Sequence, residues 1–299
     1  MNEENERMKV GIAGTGKMGQ AVAQRLMGLG HQVMVWNRTA SRADALVAAG
    51  AQRVDRPADL ACQCDAVISL LTDAAAIDAV VSGADGLFSV QGALLIEMST
   101  VAPEVQAQLG QRAQQAGVRY LECPVGGSIG PAKEGKLIGF VAGATADVQV
   151  AMPLLEQMCK KVVSVGAHGN GARMKLAVNL PLMVYWQTLG EALSLVKSLD
   201  IDPKLMIEVL SESSGGPNML KVRGGMIADA LAGTPQPTVT VDLATMRKDV
   251  RTMVEQGAKN GCAMPLAQTT LDHLNQAIEQ GLAGADCSQF PVWWLKQQG

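Results

Sequence analysis

Six residues near the start of the chain, Gly14-Thr15-Gly16-Lys17-Met18-Gly19, limit the possible folds more than any others. They follow a short apolar run, Val10-Gly11-Ile12-Ala13, which reads as a buried strand. They open residues 17 to 29, where Met18, Val22, Leu26 and Leu29 form one apolar stripe at helical spacing. Gly30 stops that helix, and His31-Gln32-Val33-Met34-Val35-Trp36 reads as a second strand. The pattern G-x-G-x-x-G is weak by itself, because turns use glycine and this chain has 32 of them. Set between a strand and a helix, with a second strand following within about 30 residues, it has a physical reading. Gly14 permits a tight turn, Gly16 lets backbone approach a pyrophosphate, and Gly19 lets helix and strand pack closely. The helix start offers unpaired N–H groups and the positive end of its dipole. A P-loop fits only in part: Gly11, Gly16 and Lys17 are in place, but Met18 stands where a magnesium-binding hydroxyl is needed. A glycine turn with no ligand is the remaining alternative.

The alternation continues. Residues 41 to 49 read as a helix with Ser41 as N-cap. Strands are expected at 66–71, 93–98, 118–122, 137–142 and 162–165. Their Val, Ile and Leu runs lack polar alternation, as in strands covered on both faces. The expectation is α/β: a Rossmann doubly wound parallel sheet over 8–168, followed by an all-α domain over 169–299 built on a long linking helix. The character changes at Gly166-Ala167-His168-Gly169-Asn170-Gly171, beyond which no strand is expected. Residues 172 to 199 form a long apolar stretch, read as a buried helix kinked near Pro181. Asp202-Pro203 starts another helix, and further helices are expected at 242–260 and 265–280, after the loop Gly233-Thr234-Pro235-Gln236-Pro237.

Composition excludes several classes. A formal charge of −3 gives no electrostatic reason for nucleic acid or an anionic membrane as partner. The six cysteines form no C-x-x-C pair and there are three histidines, so no metal site is expected; the thiols read as reduced, mostly apolar fillers. Met1 to Lys9 are polar and acidic, unlike a signal peptide, and no apolar run reaches the roughly 18 residues that span a bilayer. A cytoplasmic location is expected.

The end of the second strand reads on the cofactor. An NAD site normally places Asp or Glu there for the ribose hydroxyls, and this chain has Asn37-Arg38-Thr39. A carboxylate would repel a 2′-phosphate, whereas Arg38 can pair with one and Asn37 and Thr39 can donate hydrogen bonds. NADP is therefore favoured over NAD. A merely solvated Arg38 is the alternative.

Several motifs in order carry a resemblance. They are residues 11–19, Trp36-Asn37-Arg38-Thr39, Met98-Ser99-Thr100-Val101, Cys123-Pro124-Val125-Gly126-Gly127-Ser128, residues 169–176 and Lys248-Asp249. Across nearly its whole length the chain resembles the β-hydroxyacid dehydrogenase family, which includes 3-hydroxyisobutyrate dehydrogenases and glyoxylate/succinic semialdehyde reductases. The resemblance implies hydride transfer between NADPH and a small aldehyde or keto acid, or its hydroxy acid. It makes Lys175 the catalytic acid/base and Asn179 its companion at the substrate. It places Thr100 and the loop containing Leu71 and Thr72 along the cofactor. Gly126, Gly127 and Ser128 become the substrate loop, and Lys248 and Asp249 lie near the nicotinamide or substrate. The chemistry suits these residue types. Carbonyl reduction needs a proton on oxygen and stabilisation of the developing alkoxide, and an ammonium supplies both. Lys175 and Asn179 are four apart, so on a helix they share a face.

The chain departs from the family at two points. The serine usual in the substrate loop is Gly126, whose N–H with that of Gly127 can form a small anion nest instead. The phenylalanine usual eight residues before Asp249 is Val241. Both changes enlarge the pocket and point to a substrate bulkier or less acidic than glyoxylate. Met183, Tyr185 and Trp186 can line an apolar pocket or pack a core or a dimer, and a homodimer or homotetramer is expected. Two other functions stay open. One is an imine reductase acting on C=N, against which Lys175 counts. The other is a non-catalytic nucleotide-binding module, in which Lys175 would have no purpose.

Overall fold

The structure, a computed structural model, describes residues 7–234 and 238–297. It has two compact units, Met1–Lys175 and Leu176–Gly299.

In the first unit β1 (Lys9–Ala13), β2 (Gln32–Trp36), β3 (Gln52–Arg53), β4 (Ala66–Ser69), β5 (Leu94–Glu97) and β6 (Arg119–Glu122) pair in parallel, in the order β3-β2-β1-β4-β5-β6. The chain runs outward from β1 in one direction and from β4 in the other. Their adjacent C-terminal ends are thus the switch point where such sheets open a crevice. The connections carry α1 (Lys17–Gly28), α2 (Asp44–Ala48), α3 (Pro57–Gln63), α4 (Ala74–Val81) and α5 (Pro103–Ala116). Val10, Ile12, Val35, Ile68 and Ile96 pack on one face with Val22 and Leu26 of α1; Met34, Val67 and Leu95 pack on the other with Leu60, Ile77 and Leu109. Burial of both faces explains the missing polar alternation.

The sheet is not parallel throughout. β7 (Val125–Gly126) and the five-residue α6 (Ile129–Lys133) fill the connection after β6, leaving too little chain for a covering crossover helix. β8 (Leu137–Gly143) accordingly returns antiparallel to β6 and β7, and after α7 (Thr145–Met158), β9 (Cys159–Ser164) joins β8 in parallel. The expected helix at 41–49 is also revised. A 3₁₀ turn, Ala40–Ala43, precedes α2, so Ser41 lies inside that turn and caps nothing. β3 and α3 give no periodic signal in sequence because they are short.

α8 (Asn170–Leu195) runs unbroken across Pro181 and passes from the first unit into the second. The second unit adds α9 (Pro203–Glu212), α10 (Asn218–Leu231), α11 (Leu243–Lys259), α12 (Pro265–Ala277) and α13 (Gln289–Gln297). Among its described residues β pairing is confined to a single bridge, Asp242 to Asp286. Asp202 caps α9 by accepting the Lys204 and Leu205 N–H groups. A π-helical turn, Ile278–Leu282, ends α12 before position 280. The unexpected α10 and α13 are interrupted in sequence by Gly224-Gly225 and Pro291, which hide their periodicity. Met183 and Trp186 belong to this unit's core with Leu189, Ile227, Met246, Leu274 and Phe290. Tyr185 is half-buried in an apolar groove with Leu180, Val184 and Met264.

Residues 1–6 of the polar start and Pro235–Pro237 of the expected loop lie outside the described residues. Among the described residues no helix is long and apolar enough to cross a membrane. Cys123, Cys159 and Cys287 are buried, whereas Cys62 and Cys262 are exposed, so half of the thiols serve as interior filler.

Candidate active site

Four chain segments converge at the C-terminal ends of β1, β2, β4 and β5. Gly14 leaves β1 with φ of 101°, a backbone that L side chains rarely adopt, and donates its N–H to Trp36 O at 2.9 Å. A Cβ there would lie 2.4 Å from Leu70 O, and a Cβ on Gly19 would lie 1.9 Å from Gly14 O. At Gly16 a Cβ would meet nothing within 4 Å, so this side of the loop is open. Gly16 is also the N-cap of α1, without a side-chain cap and without an acidic residue in the first turn. The helix start therefore presents Lys17 and Met18 N–H groups beside open space, the arrangement that suits a phosphate.

The second segment ties Asn37 to the glycine loop. Its Oδ1 accepts the Thr15 N–H at 3.0 Å and its Nδ2 donates to Thr39 O at 2.9 Å. Asn37 thus braces the glycine loop against the end of β2. Arg38 and Thr39 are exposed, and among the described residues the Arg38 guanidinium has no hydrogen bond or ion pair. Arg42, one turn on, also leaves its side chain uncommitted and exposed. Sequence reasoning passed over Arg42. The nearby acid, Asp44, pairs with Arg53 at 2.8 Å and is no ribose acceptor.

The third and fourth segments are stitched together. The Leu71 N–H donates to Ser99 Oγ at 2.8 Å, and the Ser99 N–H donates to Glu97 Oε1 at 2.7 Å. Asp73 caps α4 by accepting the Ala76 N–H at 2.8 Å, which holds the turn through Thr72. Thr100 follows this knot, half-buried. Glu97 is fully buried, and burial pushes its carboxyl up, against the hydrogen bonds from Ser69 and Ser99 that lower it. Neither Glu97 nor Ser99 was singled out from sequence; the Glu-x-Ser spacing at a strand end was the available signal.

The substrate loop is only partly as expected. The β7–β8 register sets Gly126 opposite Ile138, and the Phe140 N–H donates to Pro124 O at 3.1 Å. That ladder takes up the Gly126 N–H, so a nest built on Gly126 and Gly127 does not form; Gly127 and Ser128 remain at the loop's open end. Lys175 lies near the start of α8 at 7% exposure. Asn179 follows one turn later on the same helix, half-buried.

In the second unit Asp249 is not on a solvated face. It lies on the buried side of α11 with Met246, Val250 and Met253, and Lys248 Nζ stands 3.1 Å from its Oδ1. Val241 sits just before the Asp242–Asp286 bridge ahead of α11, and its carbonyl accepts the Cys287 N–H at 2.9 Å. Among the described residues no cluster of three or more His, Cys, Asp or Glu side chains could hold a metal.

Residues 9–166 match the model of the NAD binding domain of 6-phosphogluconate dehydrogenase, and residues 169–292 match that of NADP-dependent 3-hydroxyisobutyrate dehydrogenase. The chain is 31% identical over 283 residues to glyoxylate/succinic semialdehyde reductase 1 of Arabidopsis thaliana, covering 94% of this chain and 96% of that one. A solved structure of Psf3 in complex with NADP+ and 2-OPP is 26% identical with a TM-score of 0.86, covering 95% of this chain and 99% of that one. A reductive aminase from Aspergillus terreus in complex with NADPH, cyclohexanone and allyl amine is 21% identical with a TM-score of 0.63, covering 97% and 100%, and shares the fold.

Proposed function

The chain belongs to the β-hydroxyacid dehydrogenase family, and from that premise we propose an NADPH-dependent reductase of a small aldehyde or keto acid, reversible on the matching hydroxy acid. As a family member it is an NAD(P)-dependent oxidoreductase. The preference for NADP, the site residues and the substrate class are the proposal.

The observation that carries it is Lys175, 7% exposed in the same compact unit as the glycine loop. Keeping an ammonium out of water is costly by several kcal/mol unless its charge is used. The cofactor's residues fit by shape. Gly14, Gly16 and Gly19 leave an open cradle at the start of α1, with Lys17 and Met18 in its first turn. Arg38, Thr39 and Arg42 suit a 2′-phosphate, and Leu71, Thr72 and Thr100 line the nicotinamide end. A bound reduced nicotinamide supplies the hydride to the carbonyl carbon. Lys175 delivers the proton to the carbonyl oxygen and offsets the charge developing there. Asn179, one turn after Lys175 on the same helix, hydrogen-bonds the same substrate, and Gly127 and Ser128 hold its acidic end.

The test is NADPH and NADH oxidation against a panel of semialdehydes, keto acids and cyclic imines. Turnover of carbonyl compounds is expected, faster with NADPH. Turnover of imines alone would replace this reading with imine reduction. Lys175→Ala lowers kcat by about 10² to 10⁴ if Lys175 is the acid. Residence in the cytoplasm belongs to the same reading and is tested by fractionation.

A further inference from the structure

We infer that Glu122 is a positioning residue for this reaction: its buried carboxylate ties the first N–H groups of α8 to the end of β6 and so sets where Lys175 stands. The inference rests on the reading of Lys175 as the proton donor.

Glu122 is the last residue of β6 and is 0% exposed. Its Oε1 accepts the N–H groups of Gly169 and, at 3.0 Å, of Gly171; its Oε2 accepts that of Ala172 at 3.2 Å. A helix leaves its first N–H groups without partners, and one carboxylate here collects two in the first turn of α8 and a third, that of Gly169, just ahead of it. Lys175 comes three residues after Ala172, about 5 Å further along the axis at roughly 1.5 Å per residue. A shift of the first turn is therefore passed to Lys175 almost undamped. A second tie, from Asn170 Nδ2 to Val165 O at 2.9 Å, holds the same turn.

The glycines before Lys175 are explained by this contact. A Cβ on Gly171 would stand 2.6 Å from Phe140 O and 3.0 Å from Glu122 Cδ. Glycine at 171 thus lets the carboxylate reach the helix. The Gly-x-Gly ahead of Lys175 serves an internal anion, unlike the Gly-x-Gly of the cofactor loop.

Stability alone would be served more cheaply. An N-cap Ser or Thr satisfies a helix start without burying a charge. Burial pushes the Glu122 carboxyl up to about 7, against the three backbone N–H bonds and Arg173, which pull it down. The charged and titratable groups around it are Arg173 on α8, Tyr120 on β6, Cys123 just past the end of β6, Glu97 in register on β5, and His168 against Tyr120. Protonation removes an acceptor and loosens the tie, so kcat falls on the acid side of neutrality.

A double-mutant cycle tests this. Glu122→Gln keeps the volume and lowers kcat about tenfold, since small displacements of a reacting group are expensive. The Kd for NADPH, read by fluorescence, stays within about twofold, because the glycine loop is untouched. In the Lys175→Ala background the same substitution produces no further loss. The acid limb of the kcat profile disappears in Glu122→Gln, and the amides of Gly171 and Ala172 exchange hydrogen faster. An equal loss in both backgrounds, or an acid limb that survives Glu122→Gln, would overturn the role of Glu122 alone. Full activity of Lys175→Ala would remove the reading beneath it as well. Unchanged amide exchange at 171 and 172 would show that the tie itself is absent.

Discussion

Arg38 and Asn37 are neighbours that differ in the hydrogen bonds they already make. Asn37 is committed to Thr15 and Thr39, while Arg38 is exposed and uncommitted. Arg38→Asp should raise the KM for NADPH by about 10- to 100-fold, the worth of a charge-assisted bond, and leave that for NADH within a few-fold. Steady-state kinetics with both cofactors decide this; equal effects would refute the phosphate role. Gly171→Ala should destabilise the protein by about 1–3 kcal/mol, because Phe140 O and Glu122 leave no space for a methyl group. Glu122 also makes a pH prediction. Its carboxyl is raised from 4.5 to about 7 in the fold. The native state thus holds a proton that the unfolded chain releases, and stability declines as pH rises through that window. Glu122→Gln should lose this pH dependence, so its stability relative to wild type should rise between pH 5 and 8, by about 3 kcal/mol at most, in urea melts. A variant that is more stable yet slower would separate positioning from scaffolding.

At the scale of elements, α11 depends on two anchors that its periodicity does not reveal. Asp242 caps it, accepting the Thr245 N–H at 2.7 Å. Asp286, buried, accepts the Thr240 N–H at 2.6 Å, the Thr240 hydroxyl at 2.7 Å and the Ser288 N–H at 3.0 Å, with Arg223 3.6 Å away. Burial pushes the Asp286 carboxyl up, yet the bonds from Ser288 and Thr240 outweigh it and hold it below the usual range. Asp286→Ala should cost about 3–5 kcal/mol, since it removes the ion-pair partner of the half-buried Arg223 and leaves the Thr240 and Ser288 donors without their buried acceptor. Asp242→Ala should cost about 1 kcal/mol, the worth of an exposed N-cap. Chemical denaturation of both variants measures the contrast. Elements with long apolar runs or a full helical stripe, such as β1, α1 and α8, were legible in sequence. β3, β7 and α6 were not, because two to five residues carry no period and pairing alone makes them.

For the whole molecule, the second unit leaves Leu195 86%, Val222 72%, Leu266 70% and Val209 61% exposed. Each of these side chains would gain from being taken out of water. A homodimer or homotetramer is the expected state in solution, and light scattering that returns the mass of a single chain would contradict it. The site was legible where its residues are contiguous. The glycine loop announces itself through type and spacing, because a tight turn into a helix start needs local sequence; Arg38 and Lys175 enter from sequence as proposed site residues. By itself, then, the sequence determined the fold class, the dinucleotide loop and the family. Tertiary structure alone decided that β8 runs antiparallel, that Asn37 is a brace, that Glu97 and Ser99 join two loops, and that Glu122 meets α8 across 49 residues of chain. Those contacts join segments distant in sequence, and one carboxylate looks like another until folding shows which N–H groups it meets.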